Sequence, residues 1–531
     1  SRMDFGGGRT EPETMVASGR VIVTDSARRD AKDVVRAFAD RIESNVALKS
    51  AILYGGNTPE TYAKLTRGEN DANVLAGAQL QVEDFDQRAL VKGPGFVRFM
   101  TDKDLNGRKL TAVRPVEVTW TEGMTYLPVG PEAPRPLPTD AKALAALKAS
   151  RLRLVREAVF TGAVLMNTGD DTMSCKKMVV EMDPPAEKAP KPATAPAIAK
   201  TVASPFDLPV PSPASQPGEP AAAPAPPDRG VLTVEDFGSR KLFMVSGEGD
   251  VVLRSLRRED AGFVLRRLES RADKLLYFAG SKASGAARIE VPGHGWLFNE
   301  DYRMEDQGGS SEGPSQTHFE WHKSMVLVQD ADGSSSGGRT AILHGNVSMT
   351  HHSGRTIRVP KELMVRHSAE NLPQGRITNL ACEEMVAEFE GAADKKAPPK
   401  PGSLPPPDVS AAKGDGDMMS GPGIGRMSLF SATGADVDAA KGQREIPVQM
   451  TDGAVSIMGK RLIYNRQEKA DQVANVYGYL LGKPDANARV VIENPMEGTV
   501  RTWESPKITI LFDQTGKKIQ QVKVDGGVGN Q

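Results

Sequence analysis

The sequence predicts an all-β protein: a long antiparallel structure assembled from repeated hairpins, with one short helical insertion and Pro-rich linkers. Three observations predict it. Apolar and polar residues alternate with period two over most of the chain outside the linkers, which is the pattern of strands with one buried face. Longer strings recur in the same order in two parts of the chain, the mark of a repeat architecture. Gly (52) and Pro (38) are abundant while aromatics make up only 5%. That composition suits short elements, many turns and an interior lined by Val, Ile, Leu, Met and Ala.

Taken in order, residues 1–14 read as a flexible start. A first β module covers 15–126, with alternation at Arg20-Val21-Ile22-Val23, Leu80-Gln81-Val82 and Val116-Glu117-Val118-Thr119-Trp120. Residues 30–42 are Ala-rich and scan as helix. Yet Ala39-Asp40-Arg41-Ile42 belongs to a pattern that returns as Ala272-Asp273-Lys274-Leu275 and as Gly459-Lys460-Arg461-Leu462, so the repeat argues for a strand there. Residues 127–150 form a Pro-rich and helical insertion. Within 139–157, Thr139 or Asp140 offers an N-cap, and Leu144, Leu147 and Leu154 fall on one helical face. Residues 151–183 continue the first module.

The stretch 184–229 is a linker: 14 prolines stand among the 44 residues 184–227. Pro removes backbone donors and Ala buries little, so such a segment cannot offset its ordering entropy. A second β module covers 230–391, including Arg288-Ile289-Glu290-Val291 and two polar Gly/Ser-rich tips at 308–316 and 330–338. A second linker, 392–428, carries Pro405-Pro406-Pro407. A third module, 429–531, includes Lys507-Ile508-Thr509-Ile510-Leu511.

The repeats are explicit. Leu80, Val82, Glu83, Asp84, Phe85, Arg88 and Leu90 recur as Leu232, Val234, Glu235, Asp236, Phe237, Arg240 and Leu242. Each string leads into a Val-x-Gly-x-Gly step, at Val91/Gly93/Gly95 and Val245/Gly247/Gly249, and a third step stands at Val291/Gly293/Gly295. Trp120 follows Gly95 by 25 residues and Trp321 follows Gly295 by 26; each Trp precedes a Met by four, Met124 or Met325. Then 158–166 matches 341–349, and Cys175, Met178, Val179 and Glu181 match Cys382, Met385, Val386 and Glu388. A shorter motif, Gly-x-Val, opens strands at Gly19, Gly162, Gly345 and Gly453.

Each motif reads as a strand, a Gly-containing turn or bulge, and another strand, with Gly supplying positive φ or close approach at a sheet bend. One hairpin cannot bury its apolar face alone, but stacked hairpins cover one another. The result is a continuous apolar interior, either a closed core or an open groove. The residues expected to face it are Val164, Met166, Val347, Met349 and Val455, with Trp120 and Trp321 anchoring equivalent hairpins. The repeat methionines are more often ordinary core; the alternative is a flexible wall against lipid. Arg41, Lys274 and Arg461, near strand starts, are candidates to contact phosphates at a groove mouth; solvated sheet-face charge is the ordinary role of such residues.

The Gly-x-Val starts, the Ala-Asp-Lys/Arg-Leu/Ile strands and the Val-Glu-Asp-Phe-x-x-Arg hairpins resemble the OstA/LptA-like family of periplasmic lipopolysaccharide-transport proteins, from about Met15 to Gly527 outside the linkers. The resemblance implies an elongated, twisted, V-shaped antiparallel β-jelly-roll that holds lipid acyl chains between its sheets. It implies lipopolysaccharide or a related lipid as ligand, edge-to-edge stacking with other β-jelly-roll proteins of the same transport system, and delivery towards the outer-membrane assembly machinery. It implies a periplasmic location and no catalytic residue. The two Pro-rich interruptions and the length depart from a minimal single-module member.

Other classes are disfavoured. Lys plus Arg (67) balances Asp plus Glu (68) for a net charge of −1, without the basic footprint of a nucleic-acid binder. At 531 residues the chain has room for several domains or one long array. No run reaches the length of a membrane helix. The chain begins at Ser1 without a charged-then-apolar leader and reads as a processed or excised piece, which a preceding segment could anchor to a membrane.

All seven histidines lie between His294 and His367 without convincing metal-ligand spacing, so no metal and no cofactor is expected. Gly333-x-Ser335-x-Gly337 fits a nucleophile-elbow string but lacks a following helix. Cys175 and Cys382 hold equivalent repeat positions and are expected as two buried free thiols. The expected function is non-enzymatic lipid binding and transport. The alternative is a structural or interaction scaffold with a closed β core and partner proteins on its sheet edges.

Overall fold

The computed structural model describes residues 14–24, 34–45, 50–68, 72–83, 88–103, 109–130, 140–169, 171–182, 242–259, 262–279, 287–303, 313–329, 339–367, 371–389, 427–435, 447–465, 472–478, 487–494, 498–512 and 519–525. The predicted all-β class holds: among the described residues there are 27 strands and one α-helix, and every strand pairing is antiparallel.

The strands follow one rule. A long strand is met by two short ones, one on each half, and the next long strand gathers them again. β1 (Thr14–Thr24) pairs with β2 (Val35–Asn45), whose two halves receive β3 (Ser50–Tyr54) and β4 (Ala63–Arg67); β5 (Asn73–Glu83) gathers both. β6 (Arg88–Lys103) follows, then the divided pair β7 (Lys109–Trp120) and β8 (Gly123–Pro128), gathered by β9 (Arg156–Asn167). Between β8 and β9 the predicted helix appears as α1 (Ala141–Leu152), where the Asp140 carboxylate accepts from the Ala143 N–H at 2.8 Å; it is shorter than the expected 139–157 and leaves Leu154 outside, because the chain enters β9 at Arg156.

β10 (Asp171–Met182), β11 (Leu242–Arg258) and β12 (Val264–Phe278) are long and pair in sequence. β12 divides into β13 (Arg288–Pro292) and β14 (Gly295–Asp301). β15 (Ser315–Trp321) extends the β14 half, β16 (Ser324–Gln329) extends the β13 half, and β17 (Arg339–Ser353) gathers them before β18 (Ile377–Phe389).

Beyond β18 the two halves continue as separate limbs. β19 (Met427–Thr433) leads one limb and β20 (Val448–Asp452) with β21 (Val455–Gly459) the other. β22 (Arg461–Asn465) and β23 (Gln472–Tyr477) extend the first, β24 (Ala488–Asn494) and β25 (Thr499–Ser505) the second, and β26 (Lys507–Phe512) with β27 (Ile519–Asp525) complete the first.

The halves face each other across one apolar core. A single cluster of buried residues runs from Val35 on β2 to Phe512 on β26 and draws on both limbs, with Ile508 and Ile510 from one and Ile457 and Val490 from the other. β10 pairs directly with β11, and β18 with both β19 and β20. The Pro-rich segments therefore interrupt a sheet whose pairing is continuous across them.

Long strands pass from one half to the other at a bend. Gly162 on β9 and Gly345 on β17 hold equivalent positions with φ of +95° and +82°, and the pairing register shifts beside both. A side chain at such φ is strained, which is why the Gly-x-Val motif marks these points.

Two sequence expectations meet particular outcomes. Of the Ala-rich stretch at 30–42, residues 35–42 lie in strand β2, with Ala39 and Ile42 buried, and residues 30–33 lie outside the described residues; the alternation overrides helix propensity because β2 has a core to face. The alternation at Arg20–Val23 predicts a buried face, yet Ile22 is 64% exposed in β1. β1 ends the ladder and, among the described residues, pairs with β2 alone.

Candidate functional site

Strands β11–β18 hold a cleft between the two halves. Its volume is about 1070 Å³, the open solvent at its mouth included. Alternation builds it. From one half, β11 contributes Leu253, Ser255 and Arg257, and β12 contributes Arg266, Leu268 and Ser270, with Arg267 beside them. Leu297 and Asn299 of β14 and Phe319 and Trp321 of β15 continue the same wall. The other half supplies Leu275, Ile289, Met325, Leu327, Arg339, Ala341, Leu343 and Ala387.

The cleft is graded from end to end. Leu253, Leu275, Trp321 and Leu343 are deeply buried and lie on strand segments next to the bend. Arg257 and Arg266 are direct register partners towards the far end of β11 and β12, and Arg339 opens β17 on the opposite half. Four arginines and no carboxylate are among the described residues that line the cleft.

Arg257 opposite Arg266 is a like-charge pair, an arrangement that costs stability unless a counter-charge stands near. Asp301 is that charge. It is the β14 partner of Arg266, whose Nε lies 3.2 Å from Asp301 Oδ2, and Arg303 donates to the same carboxylate at 2.6 Å. Burial nevertheless pushes the Asp301 carboxyl up to about 6, against the pull of Arg266 and Arg257. Arg267 bonds Glu269 at 3.2 Å, and its Nη1 lies 3.5 Å from Glu300. Glu300 in turn accepts from Tyr302 at 2.7 Å and from Gln316 at 2.8 Å. Burial, and then the hydrogen bond to Glu300, hold the Tyr302 hydroxyl well above its usual range.

Such a site fits an amphipathic anion. Apolar walls from both halves accept a hydrocarbon chain, and guanidinium groups recognise carboxylates or phosphates through paired N–H donors.

Of the residues predicted from sequence to face a groove, Trp321 lines this cleft. Val164 and Met166 on β9, Val347 and Met349 on β17, and Trp120 on β7 are buried in the common core. Val455 on β21 is partly buried against it. Val164 is the register partner of Cys175, and Val347 that of Cys382, so the repeat places these side chains in equivalent interior positions. Both cysteines are buried and free.

The predicted phosphate contacts do not line the cleft and stand on three strands that do not pair with one another. Arg41 lies 2.5 Å from Glu43, with its guanidinium over the Tyr54 ring. Lys274 bonds Glu248 at 2.8 Å. Arg461 is exposed on β22. Sequence reasoning missed Arg257, Arg266, Arg267 and Arg339. The one local signal was the gradient Leu253-x-Ser255-x-Arg257, an alternating strand that turns from apolar to charged along one face.

Gly333-x-Ser335-x-Gly337, the tip 330–338 and the Leu232–Arg240 half of the second hairpin string lie outside the described residues. No helix among the described residues is long and apolar enough to cross a membrane. No protein family, curated protein or solved structure matches the chain.

Proposed function

We propose that this chain binds and carries an amphipathic anionic lipid without enzymatic turnover, as a V-shaped jelly-roll of the OstA/LptA-like kind. The observation that carries the reading is the cleft between the halves, apolar near the bend and lined, among the described residues, by four arginines and no carboxylate. On this reading the ligand is lipopolysaccharide or a related lipid, its acyl chains lying between the halves and its acidic groups at the arginines. The protein works in the periplasm and passes lipid towards the outer membrane. The register supports a place in a series, because β1 offers an unpaired edge among the described residues, with Val16 and Ile22 exposed.

The test is native mass spectrometry of the folded chain with and without lipopolysaccharide. A discrete stoichiometric adduct, competed by lipid A and lost in Leu297→Asp, is expected. Absence of any adduct at micromolar protein would favour the scaffold reading, for which the exposed β1 edge is the specific support.

A further inference from the structure

We propose that His294, Glu320 and His322 form a binding site for a divalent transition-metal ion of the zinc class. The register brings them together. Gly295 pairs with Trp321 and Trp296 with Glu320 across β14 and β15, so continuing that ladder by one residue sets His294 opposite His322. Alternation, continued one residue past the end of β15, puts Glu320 and His322 on one side of the chain, with Trp321 between them in the core.

The distances follow. His294 Nε2 lies 3.1 Å from Glu320 Oε1. The imidazole centroids of His294 and His322 are 5.1 Å apart. One ligand atom from each of the three residues lies within 4.8 Å of the others.

Zinc bound at about 2.0–2.2 Å by nitrogen and oxygen sets neighbouring ligand atoms roughly 3.3 Å apart in a tetrahedron. The His294–Glu320 edge already has that length. His322 is exposed, so a side-chain rotation closes the remaining edges, and water supplies the fourth ligand. The Glu320 carboxylate, like an ordinary glutamate, is an anionic ligand at neutral pH. Two imidazoles and one carboxylate favour zinc, nickel or copper over magnesium or calcium, which prefer all-oxygen shells.

An ordinary surface ion pair between His294 and Glu320 accounts for one contact but leaves the second imidazole, brought alongside the first, without a role. A bound ion would tie the β13–β14 turn to the β15–β16 turn. It would sit on the outer side of the bend, one residue along the chain from Trp321 of the cleft. The site stands independently of the lipid reading.

The experiment titrates the full, chelator-stripped chain with Zn²⁺ by calorimetry and native mass spectrometry. One ion per chain at micromolar concentration is expected, with no uptake of Mg²⁺. His294→Ala, His322→Ala and Glu320→Gln should each weaken binding by more than about tenfold, while His351→Ala should leave it unchanged. On wild-type protein loaded with Cu²⁺, electron paramagnetic resonance should show two coordinated imidazole nitrogens, a reading that needs no variant to fold. Absence of zinc uptake, uptake retained by the His294→Ala/His322→Ala double variant, or a copper spectrum without two imidazoles would overturn the proposal.

Discussion

The indole of Trp321 lies on Gly295. The two are register partners on β15 and β14, and a Cβ on Gly295 would fall 2.6 Å from indole Cζ2 and 3.0 Å from the Arg271 carbonyl. Trp120 and Gly95 repeat the arrangement across β7 and β6, with 2.8 Å to the same indole atom. The glycine is the recess that lets a large ring fill the interior beside the bend.

Gly295→Ala should therefore destabilise the fold by overpacking, by about 1–3 kcal/mol. Chemical denaturation monitored by tryptophan fluorescence checks it. Unchanged stability would mean that the indole moves away freely.

The two tryptophans differ in their polar ends. Trp120 Nε1 donates to the Gly93 carbonyl at 3.2 Å, whereas Trp321 Nε1 finds no hydrogen-bond partner among the described residues. Trp120→Phe should lose about 1 kcal/mol more than Trp321→Phe. Equal losses in denaturant titrations would count against that assignment.

Cys175 and Cys382 should be inert in the native state. Burial pushes the first thiol up to about 11 and the second to about 12, the latter with help from Glu383 and Glu384, so almost no thiolate exists at neutral pH. An aromatic disulfide reagent should label neither quickly until denaturant is added, then both. Rapid labelling of the folded protein at one site would show that its strand opens.

Asp301 makes stability depend on pH. Its folded carboxyl titrates at about 6 and its ordinary value is 3.8, so between those values the folded state holds more protons than the unfolded one. Its contribution is thus favourable at low pH and is lost as pH rises through about 6. Denaturation midpoints of wild type and Asp301→Asn, compared from about pH 5 to pH 7, should diverge as pH rises, with the variant gaining relative to wild type. Protonation also removes the counter-charge facing Arg257, Arg266 and Arg303, so an anionic lipid should bind more tightly below pH 6. A pH-independent difference between the two proteins would remove Asp301 from this role.

Much of the scaffold is legible in the sequence. The spacing from Gly95 to Trp120 and from Gly295 to Trp321 corresponds to two real cross-strand contacts. The matching strings around Cys175 and Cys382 correspond to matching register positions opposite Val164 and Val347. Local chemistry suffices for such features: glycine at a bend, β-branched residues alternating, an acidic cap at Asp140. The cleft was much less legible. Its arginines come from β11, β12 and β17, and Arg257 and Arg339 stand 82 positions apart in the chain. The His294–Glu320 contact spans 26 positions, so counting ligand spacing along one strand passes over it.

Strand formation, the positions of the bends and the repeat of long strings along the chain are readable from local patterns alone. Period two and glycine act over a few residues, and their consequences are local. The closed fold alone sets which half-sheet each short strand joins, and that β10 meets β11 and β18 meets β19 across the Pro-rich segments. It also decided that four arginines share one apolar cleft. Alternation fixes which residues share a face of a strand but carries no information about what that face meets. The register between distant strands, set when both halves close over a common core, supplies the rest.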